Sequence, residues 1–261
     1  MVCLQALSRM NLPDLVSHLD TELRIAQIAD YTPALNGLQL ENRTGKVTKT
    51  VAAVDATLPV IRKAVAAGAD LLIVHHGMFW SGLQPWTGPV FQRMQMALDA
   101  GLAVYSCHLP LDVHPVLGNN AQIAQALGLT PTGGFLEYKG SAVGVTAEHE
   151  APLVDLVAQF KKSLGGSPVH VCGAGPATTR KIGISSGGSG SEVAAAAKAG
   201  IDTFITGEGP HWSYTLAEEL GINVLYGGHY ATETFGVKAL AAHIQQTFGI
   251  PWEFVDHPTG L

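Results

Sequence analysis

Hydrophobic and polar positions follow two alternating periods along most of the chain. Short, nearly continuous apolar runs at 50–54, 71–74, 102–107, 182–185, 203–206 and 224–226 have the length and content of strands buried on both faces. Between them, apolar residues recur with helical spacing over 59–67, 90–100, 120–127, 192–199, 212–220 and 232–248. Another helix is expected over 12–25, with Asn11 as its cap and Pro13 in its first turn, where a missing N–H is harmless. Strand, helix, strand, helix is the signature of an α/β fold with mainly parallel sheets and right-handed crossovers. A run at 252–255 can add an edge strand.

The middle, 130–177, breaks this rhythm, with short strands expected at 135–138 and 142–146 and a helix over 152–164. The blocks on either side follow one plan. Thr48-Lys-Thr-Val-Ala-Ala-Val54 aligns with Thr179-Arg-Lys-Ile-Gly-Ile-Ser185, and Ala67-Gly-Ala-Asp70 with Ala199-Gly-Ile-Asp202. His75-His-Gly-Met-Phe-Trp80 falls on Gly207-Glu-Gly-Pro-His-Trp212, Ala100-Gly101 on Leu220-Gly221, and His108-x-x-x-Asp112 on His229-x-x-x-Glu233. Five matches in one order predict an internal duplication. The expected organisation is two pseudo-symmetric βα halves, 1–129 and 178–261, joined by a compact connecting segment at 130–177 in one composite domain.

Composition narrows the class. Of 261 residues, 47% are hydrophobic, which supports a sizeable core. Only 14% are charged, against roughly 25% in an average soluble chain, which excludes disorder and suggests surface buried against other copies. The net charge of −6 and the lack of a Lys/Arg cluster argue against a nucleic-acid partner. No apolar stretch approaches the ~20 residues that span a bilayer, and the first eleven residues have no sustained apolar core, so neither a membrane span nor a secretory signal is expected. Cys3, Cys107 and Cys172 are odd in number and have no CxxC spacing, so they read as buried thiols of a cytoplasmic protein.

The chemistry-bearing residues gather after strands, where open α/β sheets place their sites. His75 and His76 follow one strand, His108 and Asp112 a second, and His229 and Glu233 a third. Imidazole plus carboxylate without thiolate suits Zn, Mn, Fe or Co. Adjacent strand residues point to opposite sides, so His75 and His76 are expected to serve two neighbouring ions rather than chelate one. Glu233, four residues after His229, can reach the same centre, and a carboxylate can bridge two ions. Taken singly, Asp112 can also be a loop carboxylate capping the Asn119-Asn120 region, and Glu233 a first-turn residue favoured by the helix dipole. Those readings leave the repeat unexplained. His18, His149, His170, His243 and His257 are read as surface or cap residues. Ser185-Ser-Gly-Gly-Ser-Gly190 is either a phosphate cradle or a tight turn, with the Lys of a P-loop absent. Asn36-Gly-Leu-Gln39 can be a simple turn, and Trp80, Trp86 and Trp212 read as packing or interface residues.

Together, Asn36-Gly-Leu-Gln-Leu-Glu41, Val74-His-His-Gly-Met-Phe-Trp80, His108-Leu-Pro-Leu-Asp112, Leu117-Gly-Asn-Asn-Ala-Gln122, Ile205-Thr-Gly-Glu208 and Gly228-His-Tyr-Ala-Thr-Glu233 resemble the NIF-three-like dinuclear metal-centre family, often labelled GTP cyclohydrolase 1 type 2 homologues. The resemblance implies two related α/β halves with a two-metal cleft between them, and a ring-shaped homohexamer. It implies that His75 and His76 each take one ion, that Asp112 joins one and His229 the other, and that Glu233 bridges. His108 stands beside the site as a ligand or a proton-transfer group. An acid immediately ahead of the Asn-Gly-Leu pattern is missing, because Ala34 and Leu35 precede Asn36.

A two-metal site of this kind activates water and stabilises an oxyanion. The expected function is a metal-dependent hydrolase acting on a nucleotide or other phosphate-containing small molecule, with two divalent ions per chain and His108 or Glu208 handling protons. The family label implies opening of the GTP ring by water at the purine C8, with later loss of formate. The rival expectation is a non-enzymatic metal-handling or scaffold ring.

Overall fold

The structure, a computed structural model, describes residues 9–261; Cys3 and most of the first eleven residues lie outside the described residues. The chain forms two units, residues 9–111 with Val237–His257, and Asp112–Gly236 with Pro258–Leu261.

In the first unit the uninterrupted apolar runs form the sheet interior. Five strands lie in the order Trp252–Phe254, Thr50–Asp55, Leu71–His76, Ala103–Ser106, Gly37–Leu40. The first four are parallel and the last is antiparallel. The helices Leu58–Ala66 and Gly88–Ala100 make the crossovers, and Val60, Ile61, Met94 and Ala97 pack with Val51, Leu72 and Val104 in one buried cluster. The register sets Asp55 directly opposite His76, which decides the site chemistry below. The edge strand Trp252–Phe254 matches expectation, whereas the stretch read as a turn at Asn36 leads into a strand. The first helix, Leu12–Glu22, stops three residues short of the predicted end because Arg24 turns left-handed at φ 52°. Asn11 makes no side-chain cap; its amide donates to Asp14 Oδ2 instead, at 2.7 Å.

The second unit holds six strands in the order Pro131–Tyr138, Ser141–Pro152, Thr178–Ser185, Thr203–Thr206, Asn223–Tyr226, His170–Gly173. Its three central strands are parallel and its flanking strands antiparallel, so this sheet is mixed. The two strands expected to be short run to 8 and 12 residues. Pro131-Thr-Gly-Gly134 is exposed and has no apolar period to read, and backbone pairing alone carries the strand there. Phe160, Ile182, Ile184, Ile205 and Leu225 form a fully buried cluster on this sheet, with the helix Leu153–Ser163 supplying Phe160.

Both units use the same device at the start of their parallel core. Asp70 Oδ2 accepts from the N–H groups of Thr48 and Lys49 at 2.7 and 3.2 Å, while Lys49 Nζ donates to the Ala67 carbonyl at 2.6 Å. Asp202 Oδ2 accepts from the N–H groups of Arg180 and Lys181, both at 2.9 Å, while Lys181 Nζ donates to the Ala199 carbonyl at 2.8 Å. Gly68 and Gly200 close the preceding helices with φ of 69° and 72°, the left-handed geometry that favours glycine at a helix end. The matched stretches 67–70 and 199–202 thus make the same hydrogen bonds.

Candidate metal centre

In the first unit, strand ends and the loops after them bring three histidines together. His75 and His76 end the strand Leu71–His76, and His108 follows Ala103–Ser106, its neighbour in the sheet. All three are buried. Each imidazole donates from Nδ1 to a fixed oxygen: His75 to the Cys107 carbonyl at 3.0 Å, His76 to Asp55 Oδ1 at 2.9 Å, and His108 to Asp30 Oδ1 at 2.9 Å. An acceptor-only partner at Nδ1 sets the tautomer and puts the lone pair on Nε2, the pattern that orients metal-ligating histidines. The three side chains offer ligand atoms within 4.8 Å of one another, a group that could hold a metal ion.

The expected divergence of His75 and His76 is not found, since their ring centroids lie 4.9 Å apart. The pleat separates Cβ atoms, but the tethers on the two flanking strands, Asp55 on one side and the Cys107 carbonyl on the other, draw the rings together beyond the strand end. Trp80 lies against this group, with ring centroids 4.6 Å from His76 and 4.5 Å from His108.

Asp30 and Asp55 were not singled out by their sequence positions. Asp55 had a signal: it ends the strand beside the one that ends in His76. Asp30 reaches Asn36 and His108 because the turn Thr32–Ala34 and the left-handed Leu35 fold the chain back on itself. Its Oδ2 accepts from Asn36 Nδ2 at 2.7 Å and from the Leu109 N–H at 2.9 Å, and Asn36 Oδ1 accepts from the His108 N–H at 2.8 Å. Burial opposes the charge on Asp30, but the hydrogen bond and charge of His108, with Asn36 and the Tyr31 N–H, hold its carboxyl below the ordinary value.

In the second unit, the helix His229–Phe248 begins three residues earlier than predicted, so His229 and Glu233 sit one turn apart on it. Glu233 lies beyond the first turn, which removes the helix-dipole reading. His229 Nε2 is 3.1 Å from Glu233 Oε1, and its Nδ1 is 2.9 Å from Glu208 Oε1. Burial works against a charge on His229, yet the two carboxylates outweigh it and raise its pKa to about 9. Two carboxylates focused on one imidazole make a field that favours positive charge, and a divalent cation suits it. Glu208, considered for proton handling, meets His229 Nδ1 through its Oε1.

Asp112 is buried and its Oδ1 accepts from Asn119 Nδ2 at 2.8 Å and Ser186 Oγ at 3.3 Å. Asn119 Oδ1 in turn accepts from the Gly236 N–H of the long helix, at 2.6 Å. The tie to Asn119 noted in the bland reading of Asp112 therefore exists, and it fixes the carboxylate's orientation. The Gly-rich stretch is a tight turn: the N–H groups of Ser186, Gly187 and Gly190 donate to Asn120 Oδ1, Thr232 Oγ1 and the Glu208 carbonyl. Gly187 lies against Glu233 and His229 with φ of 64°, which no side chain would fit.

Of the histidines set aside, His18 and His243 are partly buried and stack on each other at 5.7 Å, and His149 meets Thr179 Oγ1 at 2.9 Å. His114, to which no role was given, is buried and accepts the Leu117 N–H at 2.9 Å.

A model of the family described as Duf34/NIF3 (NGG1p interacting factor 3) matches residues 10–259. The chain belongs to the Duf34/NIF3 family. Relatives of this Duf34/NIF3 chain match it over nearly their full lengths. A protein of Deinococcus radiodurans named GTP cyclohydrolase 1 type 2 homolog is 44% identical over 250 residues, covering 95% of this chain and 94% of that protein. A Pyrococcus horikoshii protein of the same name is 40% identical over 254 residues, covering 97% and 100%. Among solved structures, TTHA1606 from Thermus thermophilus superposes with a TM-score of 0.83 at 38% identity, covering 97% of this chain and 100% of that one. Among the described residues of this Duf34/NIF3 chain, no helix is long and apolar enough to cross a membrane.

Proposed function

We propose that this chain is a divalent-metal-dependent hydrolase that holds two ions through His75, His76, Asp112, His229 and Glu233, and acts on a nucleotide or another phosphate-containing small molecule. The observation that carries the reading is the set of four tethered imidazoles. His75, His76, His108 and His229 each engage Nδ1 with a carbonyl or carboxylate oxygen at 2.9–3.0 Å. Such outer partners fix ring orientation and raise ligand basicity, and a merely structural histidine does not call for one in four places. The name carried by the Deinococcus radiodurans and Pyrococcus horikoshii relatives supports a nucleotide substrate. Two divalent cations supply Lewis acidity, polarising a substrate oxygen and making water nucleophilic at neutral pH.

The chain's own residues do the rest. His108 moves the proton: its Nε2 accepts it, and Asp30, ionised behind Nδ1, stabilises the imidazolium that results. Asp55 and Glu208 hold His76 and His229 in place. Asn119 and Ser186 hold Asp112. The buried thiols Cys107 and Cys172 suit a reducing, cytoplasmic setting, and the low surface charge suits assembly of copies into a homohexameric ring.

Metal counting by mass spectrometry, on protein purified without chelator or affinity nickel, tests the ligand set. About two ions per chain are expected, with a sharp fall for Glu233→Ala; negligible metal after reconstitution overturns the hydrolase. His108→Gln is expected to abolish nucleotide hydrolysis while keeping the metal, and a parallel loss of metal would make His108 a ligand instead. Full metal with no turnover of any nucleotide would leave the metal-handling ring.

A further inference from the structure

In the second unit, beside Glu208, lies a cavity of about 590 Å³, within the ~300–1,000 Å³ range of small-molecule sites. His170, His211, Tyr214 and Tyr226 line it, and two of the other rings lie close to that of His170. The strand His170–Gly173 pairs antiparallel with Asn223–Tyr226 and sets His170 opposite Tyr226, and their ring centroids are 6.1 Å apart. Tyr214, from the helix His211–Leu220, brings a third ring to 5.4 Å from His170. The Tyr226 hydroxyl is held by Ser213 Oγ at 2.9 Å, and the serine hydroxyl donates to the Pro210 carbonyl at 2.7 Å, so the ring is fixed before any ligand arrives. Gly209 lines the cavity without a side chain, and a Cβ there would crowd Gly190 and the Tyr226 ring.

The polar character of the lining narrows the ligand. Among the described residues, the lining includes His170, His211 and Glu208 but no Lys or Arg, so it provides no permanent positive charge for a phosphate. Glu208, one of the lining residues, gives Oε1 to His229, and its side chain is 44% exposed, so its remaining acceptor capacity is open to N–H donors. Aromatic faces with a carboxylate at the rim are complementary to a flat, amino-substituted heteroaromatic ring. Gly228, which lines the cavity, immediately precedes His229, so a ring bound here lies next to the proposed chemistry.

We propose that this cavity is the subsite for the heteroaromatic ring of the substrate, a purine-type base, held by His170, Tyr214 and Tyr226 and read at its N–H edge by Glu208. The inference rests on the hydrolase reading and deepens it by naming the substrate class. Any phosphate of the same substrate binds outside this cavity.

The test is calorimetric titration of the full, zinc-loaded chain with guanosine, N1-methylguanosine and ribose, with metal counted on every sample. Guanosine is expected to bind, and ribose to bind at least about fivefold more weakly, given base–aromatic stacking of about 1–3 kcal/mol. The same stacking predicts roughly 5- to 150-fold weaker guanosine binding by Tyr214→Ala and His170→Ala, with metal unchanged. Tyr214→Leu, which keeps the bulk and removes the ring, is expected to show the same loss if the alanine variant folds poorly. N1-methylguanosine, lacking one donor, is expected to bind more weakly than guanosine. Guanosine affinity unchanged in His170→Ala and Tyr214→Leu, ribose binding as well as guanosine, or no guanosine binding at millimolar concentration would each overturn the subsite. Ring-dependent binding by protein that takes up no metal would keep the subsite and overturn the hydrolase.

Discussion

Replacing Gly187 by alanine tests the second unit's ligand pair through its backbone. Gly187 has a φ of 64°, and a Cβ there would lie 3.2 Å from Glu233 Cδ, 3.3 Å from His229 Nε2, and closer still to Glu233 Oε1. A left-handed alanine costs about 1–2 kcal/mol by itself. Glu233 is 3% exposed, so its carboxylate has no solvent side to swing into and must retreat through packed neighbours. The retreat is on the order of 1 Å, several times the ~0.2 Å tolerance of a metal–ligand distance. Gly188 is the control, because a Cβ there would sit 3.7 Å from His229 Cε1, an ordinary contact, at a φ of −85°. Metal per chain and thermal midpoint, measured side by side, should both fall in Gly187→Ala and stay near wild type in Gly188→Ala. Wild-type metal content in Gly187→Ala would refute the argument that Glu233 is a ligand confined by that turn.

Asp55→Asn and Asp30→Asn remove the charges behind His76 and His108. Asp55→Asn should weaken metal binding by roughly 10- to 100-fold with the fold intact, as other outer partners do; competition against a chelator reads it, and an unchanged affinity would count against His76 as a ligand. Asp30→Asn should lower turnover at constant metal content. In the metal-free chain His229 should titrate near 9, against an ordinary 6.5. Its contribution to stability is then complete below pH 6.5 and is lost as the pH rises through 9. Ring ¹⁵N chemical shifts measure the midpoint, and a value near 6.5 in folded, metal-free protein would contradict the two-carboxylate geometry. Asp70→Ala should cost about 1–3 kcal/mol by stranding the N–H groups of Thr48 and Lys49, with metal content unchanged; denaturant unfolding reads the loss, and no change would show that the latch does not stabilise the fold.

The parallel cores were legible because a strand covered on both faces has to be apolar throughout, and 203–206 ends where the sequence pattern says it does. That His75, His76, His108 and His229 stand at or just after strand ends was legible because histidines and acids recur there along the sequence. What was hidden had no local pattern. Pro131-Thr-Gly-Gly134, the unexpected half of the strand Pro131–Tyr138, has no apolar residue apart from its proline and glycines, and only its partner strand makes it a strand. Asp30 is 78 residues from His108, and a turn through Leu35 is what makes them meet. The approach of His75 to His76 followed from tethers on flanking strands, which alternation along one strand does not encode.

The anchoring of these imidazoles by the folded chain itself also bears on how ions are chosen. Each ring is held by an oxygen that belongs to the protein, so the geometry stands before the cation arrives. Folding then exerts no proofreading over which ion enters, and exchange needs no refolding. With ligands that suit several first-row metals, occupancy follows the free concentrations around the chain weighted by the Irving–Williams series. On the proposed ligand set, growth in defined media rich in a single metal should change the cargo without changing the fold.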